Sequence, residues 1–246
     1  MPLERSLALS TIESHARAVS AAAPADWAAP VAGCPGWSVE DVVRHLCDVH
    51  WFWERIVAER LEAPLEGDHP PTPGLDRLAG HFEEGVARLV ATLAATDPKA
   101  PVWTWAPAQR DVAFVTRHQV QEMAVHHFDV ATALGAPWSL APAVAADAIE
   151  EFLTFSVSSP LDPADPPRAP LEGRLALVAR DADAAWTVLD AGAGTVTWEP
   201  GAKEPAGSLT ADAEDLLLWL YGRAEVDGDA TALALGARLR ALSFTD

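Results

Sequence analysis

Three polar residues stand where helical patterning asks for apolar ones. Glu122 and His126 are four apart, so they share one face of a helix, and Asp129 continues that line three residues later. His45 falls on the line of Val42, Val49, Phe52 and Ile56, the face that the spacing assigns to the core. Burying an imidazole or a carboxylate is costly unless it is paired or bound to a metal. Two histidines and one glutamate on two helices meet that requirement around a single divalent ion. With a fourth position left open, such a set is a catalytic zinc arrangement. Taken singly, each residue also reads as a hydrogen-bonded core histidine or a helix-surface Glu–His pair. The convergence of three is what favours a metal. A di-iron centre fits less well, because the Glu-x-x-His repeats and extra bridging carboxylates of ferritin-like bundles are missing.

The remaining candidates are ranked by where the helices would point them. His118 lies one turn before Glu122, and with Arg117 it could line the same cavity. His50 lies about 140° around its helix from His45, and His127 flanks His126, so both are assigned to other surroundings. His15, His69 and His81 read as surface or helix-packing residues, and Cys47 is on a different face from His45. Cys34 sits in a loop just before Trp37. Trp51, Trp53, Trp103 and Trp105 read as core and cavity walls. No Gly-x-Ser-x-Gly elbow, Walker loop or His-Glu-x-x-His motif is present, and Gly192-Ala-Gly194 lacks the rest of a dinucleotide fingerprint.

The elements that must carry these residues are legible in outline. Helical patterns run over residues 3–23, from Ser38 to the proline-rich stretch that begins at Pro64, and over 75–96 and 111–134. Ser38 followed by Glu40 and Asp41 is an N-terminal cap with acids in the first turn, and Gly135 stops the fourth helix. Four such helices predict an up-down bundle. A further helix at 143–156 leads out of it. Residues 158–170 hold five prolines in thirteen and read as a linker. Beyond them, short alternating runs at 174–180, 185–189, 195–198 and 207–210 predict strands, closed by helices at 211–221 and 230–242. The boundaries are thus a bundle at 1–157, a linker at 158–170 and a small α+β domain at 171–246.

Composition narrows the partners. The 246 residues carry 17 Lys and Arg against 36 Asp and Glu, a formal charge of −19. Such a chain lacks the cationic surface that binds nucleic acid or an anionic membrane. Half the residues are hydrophobic, which supports a sizeable core rather than disorder. The first residues have no signal-peptide pattern, so a cytoplasmic protein with free Cys34 and Cys47 thiols is expected.

The stretch Cys34-Pro-Gly-Trp-Ser-Val-Glu-Asp-Val-Val-Arg-His45-Leu, followed by Glu122-Met-Ala-Val-His126-His-Phe-Asp129-Val, resembles the mycothiol-dependent maleylpyruvate isomerase family. The resemblance implies a DinB-like metal-binding four-helix bundle with zinc or another divalent metal on His45, Glu122 and His126. Trp186-Thr-Val-Leu, Gly194-Thr-Val-Thr-Trp198, Ala213-Glu-Asp-Leu-Leu-Leu-Trp-Leu-Tyr-Gly-Arg223 and Val226-Asp-Gly-Asp229 are similar to the sterol-carrier-like domain attached to that bundle. Together they imply an α plus α/β two-domain protein. In the family an arginine of the second domain completes the active site, and Arg223 matches it. The implied cosubstrate is mycothiol, whose thiolate adds to an activated cis double bond, allows rotation, and leaves the trans isomer. A thiol S-transferase acting on another electrophile is equally implied. Arg223 would hold a substrate carboxylate, Asp129 would orient a ligand, and His118 or Arg117 would contact thiol or substrate. The competing reading is a non-catalytic, metal-stabilised binder of a small ligand or lipid.

Overall fold

The computed structural model describes residues 3–65, 67, 70–157, 169–192 and 194–243. His69 and residues 158–168 of the expected linker lie outside the described residues. The chain divides into two units, Leu3–Ser139 and Leu140 onward.

The first unit is built from four helices, α1 (Arg5–Ala22), α2 (Val39–Ala58), α3 (Leu75–Ala95) and α4 (Val112–Leu134). Their apolar stripes supply the core: Ile12 and Val19 of α1, Val42, Leu46 and Ile56 of α2, Leu78, Phe82 and Leu89 of α3, and Phe114, Met123 and Val130 of α4 are all fully buried. α1 packs on α3 and α4, and α2 packs on the same two helices, so α1 and α2 face each other across the bundle. The Ser38 cap and the Gly135 stop that the sequence predicts are present, and the structure adds a side-chain cap at the start of α4. Ser38 and Asp41 form a reciprocal capping box at the start of α2, and the Asp111 carboxylate accepts from the Phe114 N–H at 2.9 Å. Gly135 ends α4 at φ 66°, a left-handed conformation that glycine adopts without strain.

The loop between α1 and α2 is tied down at its end. Val31 N–H donates to the Trp37 carbonyl at 2.9 Å and Val39 N–H to the Ala29 carbonyl at 3.0 Å, a two-strand bridge closed by a turn with Gly36 at φ 89°. Cys34 and Trp37 are therefore held by the backbone that delivers the Ser38 cap.

The second unit begins with α5 (Pro142–Phe155) and continues with β1 (Arg174–Ala179), β2 (Ala184–Gly192), β3 (Thr195–Pro200), β4 (Gly207–Ala211), α6 (Ala213–Leu220) and α7 (Ala230–Leu242). The sheet order is β3-β2-β1-β4. β1 pairs antiparallel with β2, Leu177 opposite Trp186, and parallel with β4, Leu177 opposite Leu209. Leu175, Ala176 and Leu177 are all fully buried, so this inner strand is sealed on both faces. α7 crosses β4 so closely that a Cβ on Gly207 would stand 2.7 Å from the Ala232 backbone.

One boundary differs from the sequence expectation. The units divide at Ser139/Leu140, before α5, rather than at the proline-rich segment. α5 belongs with the sheet and α6: Trp198 Nε1 donates to Thr154 Oγ1 at 3.1 Å, Trp186 Nε1 to Glu150 Oε1 at 3.3 Å, and Phe152 meets the Tyr221 ring edge to face at 5.0 Å. Proline marks where a helix ends, and residue type alone does not tell which unit that helix joins. Among the described residues, no helix is long and apolar enough to cross a membrane.

Candidate metal centre

The first unit brings α2 and α4 together at His45, Glu122 and His126, whose ligand atoms lie within 4.8 Å of one another. His45 Nε2 is 2.9 Å from Glu122 Oε1, and His126 Nε2 is 3.5 Å from the same oxygen. His126 Nδ1 donates to Asp129 Oδ2 at 3.0 Å, and Cys34 Sγ donates to that same Oδ2 at 3.5 Å. The four-residue step on α4 sets Glu122 beneath His126, and the three-residue step sets Asp129 behind it. Cys34, His126 and Asp129 form a second group with ligand geometry, on the Nδ1 side of the shared imidazole.

Electrostatics follow from these contacts. Burial pushes the Glu122 carboxyl up, but hydrogen bonds and positive charge from His126 and His45 outweigh it and hold its pKa well below the usual range. Burial likewise opposes a charge on His126. Its contacts with Asp129, Cys34 and Glu122 prevail and raise it well above an ordinary imidazole. With Nδ1–H committed to Asp129, the Nε2 lone pair of His126 faces a carboxylate oxygen. Two acceptors in that position require a positive species between them, a proton or a metal ion. The donor set, two imidazole nitrogens and one carboxylate with a carboxylate behind a histidine, therefore fits a divalent metal such as zinc.

The centre is asymmetric in access. The Asp129 side chain is 1% exposed and His126 9%, whereas His45 is 26% exposed. Trp37 stands at the open side, its ring 5.1 Å from that of His45 and stacked on His126 at 6.4 Å with 14° between the planes. Pattern reading passed over Trp37 and Cys34 as site residues, because the loop bridge that positions them is not a periodic feature. A position directly before a helix cap was the available signal.

The other predicted residues have the following surroundings within their own units. His118 sits in an aromatic box, stacked on Phe114 at 5.6 Å and edge-on to Trp105 at 5.4 Å and Trp53 at 6.0 Å, and Gln121 Nε2 contacts its Nδ1 at 3.1 Å. Arg117 is half-buried on α4. Arg223 belongs to the second unit, where its guanidinium donates to the Tyr221 carbonyl at 2.8 Å and lies over the Tyr221 ring. His50 is fully buried against Phe82 with both ring nitrogens unpartnered, and Gln119, three residues before Glu122 on α4, is buried with both amide atoms unpartnered.

Two histidines and a glutamate presented from facing helices of a bundle, followed by an α+β unit, define the class of protein as a two-unit helical-bundle protein with a clustered set of metal-type donors. The sequence pattern of the mycothiol maleylpyruvate isomerase N-terminal domain matches residues 9–131, half of the chain. The chain belongs to that family. Among solved structures it is similar to the mycothiol-dependent maleylpyruvate isomerase, with 16% identity, TM-score 0.63, and coverage of 93% of this chain and 94% of that one. A histidine-to-alanine mutant of a mycothiol-dependent maleylpyruvate isomerase gives 14% identity and TM-score 0.61 over the same shares. At these identities the likeness establishes a common fold. A search of curated proteins returned no match.

Proposed function

We propose that this protein is a zinc-dependent, mycothiol-dependent enzyme of the maleylpyruvate isomerase type, a cis–trans isomerase or thiol S-transferase acting on a small electrophile. The observation that carries the reading is the convergence of His45, Glu122 and His126 around one point with Trp37 at its open side. Family membership over residues 9–131 supports it.

His45, Glu122 and His126 would hold the ion, and zinc with one exchangeable position supplies a positive charge that favours the thiolate form of a nearby thiol. Asp129 fixes the His126 tautomer by accepting its Nδ1–H, so Nε2 keeps its lone pair for the ion. Cys34 in turn donates to Asp129 and restrains that carboxylate. In the isomerase reaction, the cosubstrate sulfur forms a C–S bond to one alkene carbon, and the alkene electron pair moves onto the conjugated carbonyl. Rotation follows about the new single bond. The pair then returns, the C–S bond breaks, and thiolate leaves with the trans isomer. No proton is consumed overall. Arg223 is assigned to a substrate carboxylate, because its planar fork pairs with one bidentately. His118 and Arg117 are assigned to thiol or substrate contacts, the second unit to a sterol-carrier-like role, and the protein to the cytoplasm.

The test joins metal analysis to activity. Purified protein is expected to hold one equivalent of zinc at this centre, lost in His45→Ala, and to turn over maleylpyruvate only with mycothiol present. Zinc unchanged in His45→Ala would remove the ligand assignment. Turnover that is indifferent to the thiol would remove the cosubstrate. Arg223→Lys should raise KM for a carboxylate substrate more than it lowers kcat, and an unchanged KM would remove Arg223 from the substrate site.

A further inference from the structure

His127 follows His126 on α4 and so points about 100° further around the helix. There it meets His15 of α1. The two Nδ1 atoms stand 2.8 Å apart and the rings are edge to face, with centroids at 4.9 Å. Both side chains line a pocket of about 340 Å³ with Ser14, Pro137, Trp138 and Ser139. Its wall is fixed: Trp138 Nε1 donates to the Ala124 carbonyl at 3.0 Å, and its ring packs edge-on to Phe128 at 5.1 Å.

Neither Lys, Arg, Asp nor Glu lines this pocket, so it offers no charge partner to an ionic organic ligand. What it offers is two imidazole nitrogens converging on one point from two helices, with serine hydroxyls and room for water beside them. Imidazole pairs of this kind suit borderline first-row cations. We propose that His15 and His127 form a second cation site, separate from the His45–Glu122–His126 centre, that takes Zn²⁺ or Cu²⁺ and completes its coordination with water on the pocket side. An ion held at about 2.0–2.1 Å from each nitrogen in tetrahedral geometry separates them by about 3.3 Å, so the rings need to part by about half an ångström. A net charge of −19 concentrates cations around the whole surface. Lacking a carboxylate, this site binds more weakly than the centre that contains Glu122.

The experiment counts bound ions on the full chain by equilibrium dialysis against Zn²⁺, and separately follows Cu²⁺ by electron paramagnetic resonance. Wild type is expected to take up two equivalents. His126→Ala removes the donor shared by both groups around Glu122 and Asp129, and is expected to retain one equivalent, whose Cu²⁺ spectrum carries nitrogen hyperfine structure. Adding His15→Phe to His126→Ala should abolish that equivalent and that structure. His15→Gln serves as the second variant if the phenylalanine does not fold. An uptake that His15→Phe or His15→Gln leaves unchanged, or a wild-type uptake of one equivalent that is lost wholly in His126→Ala, would overturn the proposal and leave the pair as a hydrogen bond between helices. Failure of the first metal centre reads differently, as an uptake that His126→Ala does not alter.

Discussion

His126 and His127 are adjacent on one helix and both buried, yet their chemistry is opposite. His126 lies between Asp129 and Glu122 and is held well above the ordinary imidazole range. Burial pushes His127, beside another imidazole, down to about 4, with the His15 charge contributing. Burial opposes the charge on both, so the neighbours decide. One face of α4 surrounds its imidazole with carboxylates, and the next face sets its imidazole against another imidazole with no carboxylate beside it among the described residues.

The largest expected effect comes from removing the feature that separates the two faces. Glu122→Ala leaves His45 and His126 without their common acceptor, and zinc affinity should fall by more than about 100-fold in a chelator competition. An affinity within a few-fold of wild type would mean that α4 presents no metal face.

His50 extends the comparison to a buried histidine whose ring nitrogens have no hydrogen-bond partner among the described residues. Its pKa is pushed down to about 4 by burial, below the ordinary 6.5, with smaller contributions from charges at the metal centre. The unfolded chain therefore binds a proton here that the folded chain refuses. The stability from a neutral His50 is complete above about pH 6.5 and is lost as pH falls toward 4, for a total of about 3 kcal/mol. His50→Phe should lose about 2 kcal/mol less than wild type between pH 7 and pH 5 in urea unfolding. Equal pH slopes would show that His50 titrates normally.

Asp129→Asn tests whether the carboxylate behind His126 matters beyond packing. Metal affinity should drop by about 10- to 100-fold, less than in Glu122→Ala. A smaller readout is thiol labelling. Cys47 is buried with its thiol pushed up to about 12, chiefly by desolvation, whereas Cys34 is partly exposed. One thiol per native chain should react and two in denaturant. Two reactive thiols in the native chain would mean that α2 opens.

Much of this was legible in the sequence because it is periodic or local. The helix cap at Ser38, the left-handed stop at Gly135, and the alignment of Glu122, His126 and Asp129 all follow from local residue type and spacing. The residues missed depend on contacts between distant segments. The spacing put His45 at the middle of the buried face, whereas the core stripe of α2 runs through Leu46, His50 and Trp53, with His45 at its edge. That edge position is what leaves His45 open to solvent. Trp37 and Cys34 are placed by a bridge between Pro30 and Ser38, which no periodicity reports. The division before α5 was missed because a proline-rich stretch is an obvious break, while the partner of an amphipathic helix is settled in three dimensions.

The bridge that fixes Trp37 also has a kinetic consequence. The Trp37 carbonyl and the Val39 N–H on either side of Ser38 close the loop, and the Ser38 side chain starts α2, so the indole at the open side is fastened to the helix that carries His45. A flap with its own hinge would impose an opening step before each encounter. This rim has no independent hinge. A small molecule should therefore reach the centre at a rate governed by collision and orientation, rising in proportion to its concentration without a plateau set by gating.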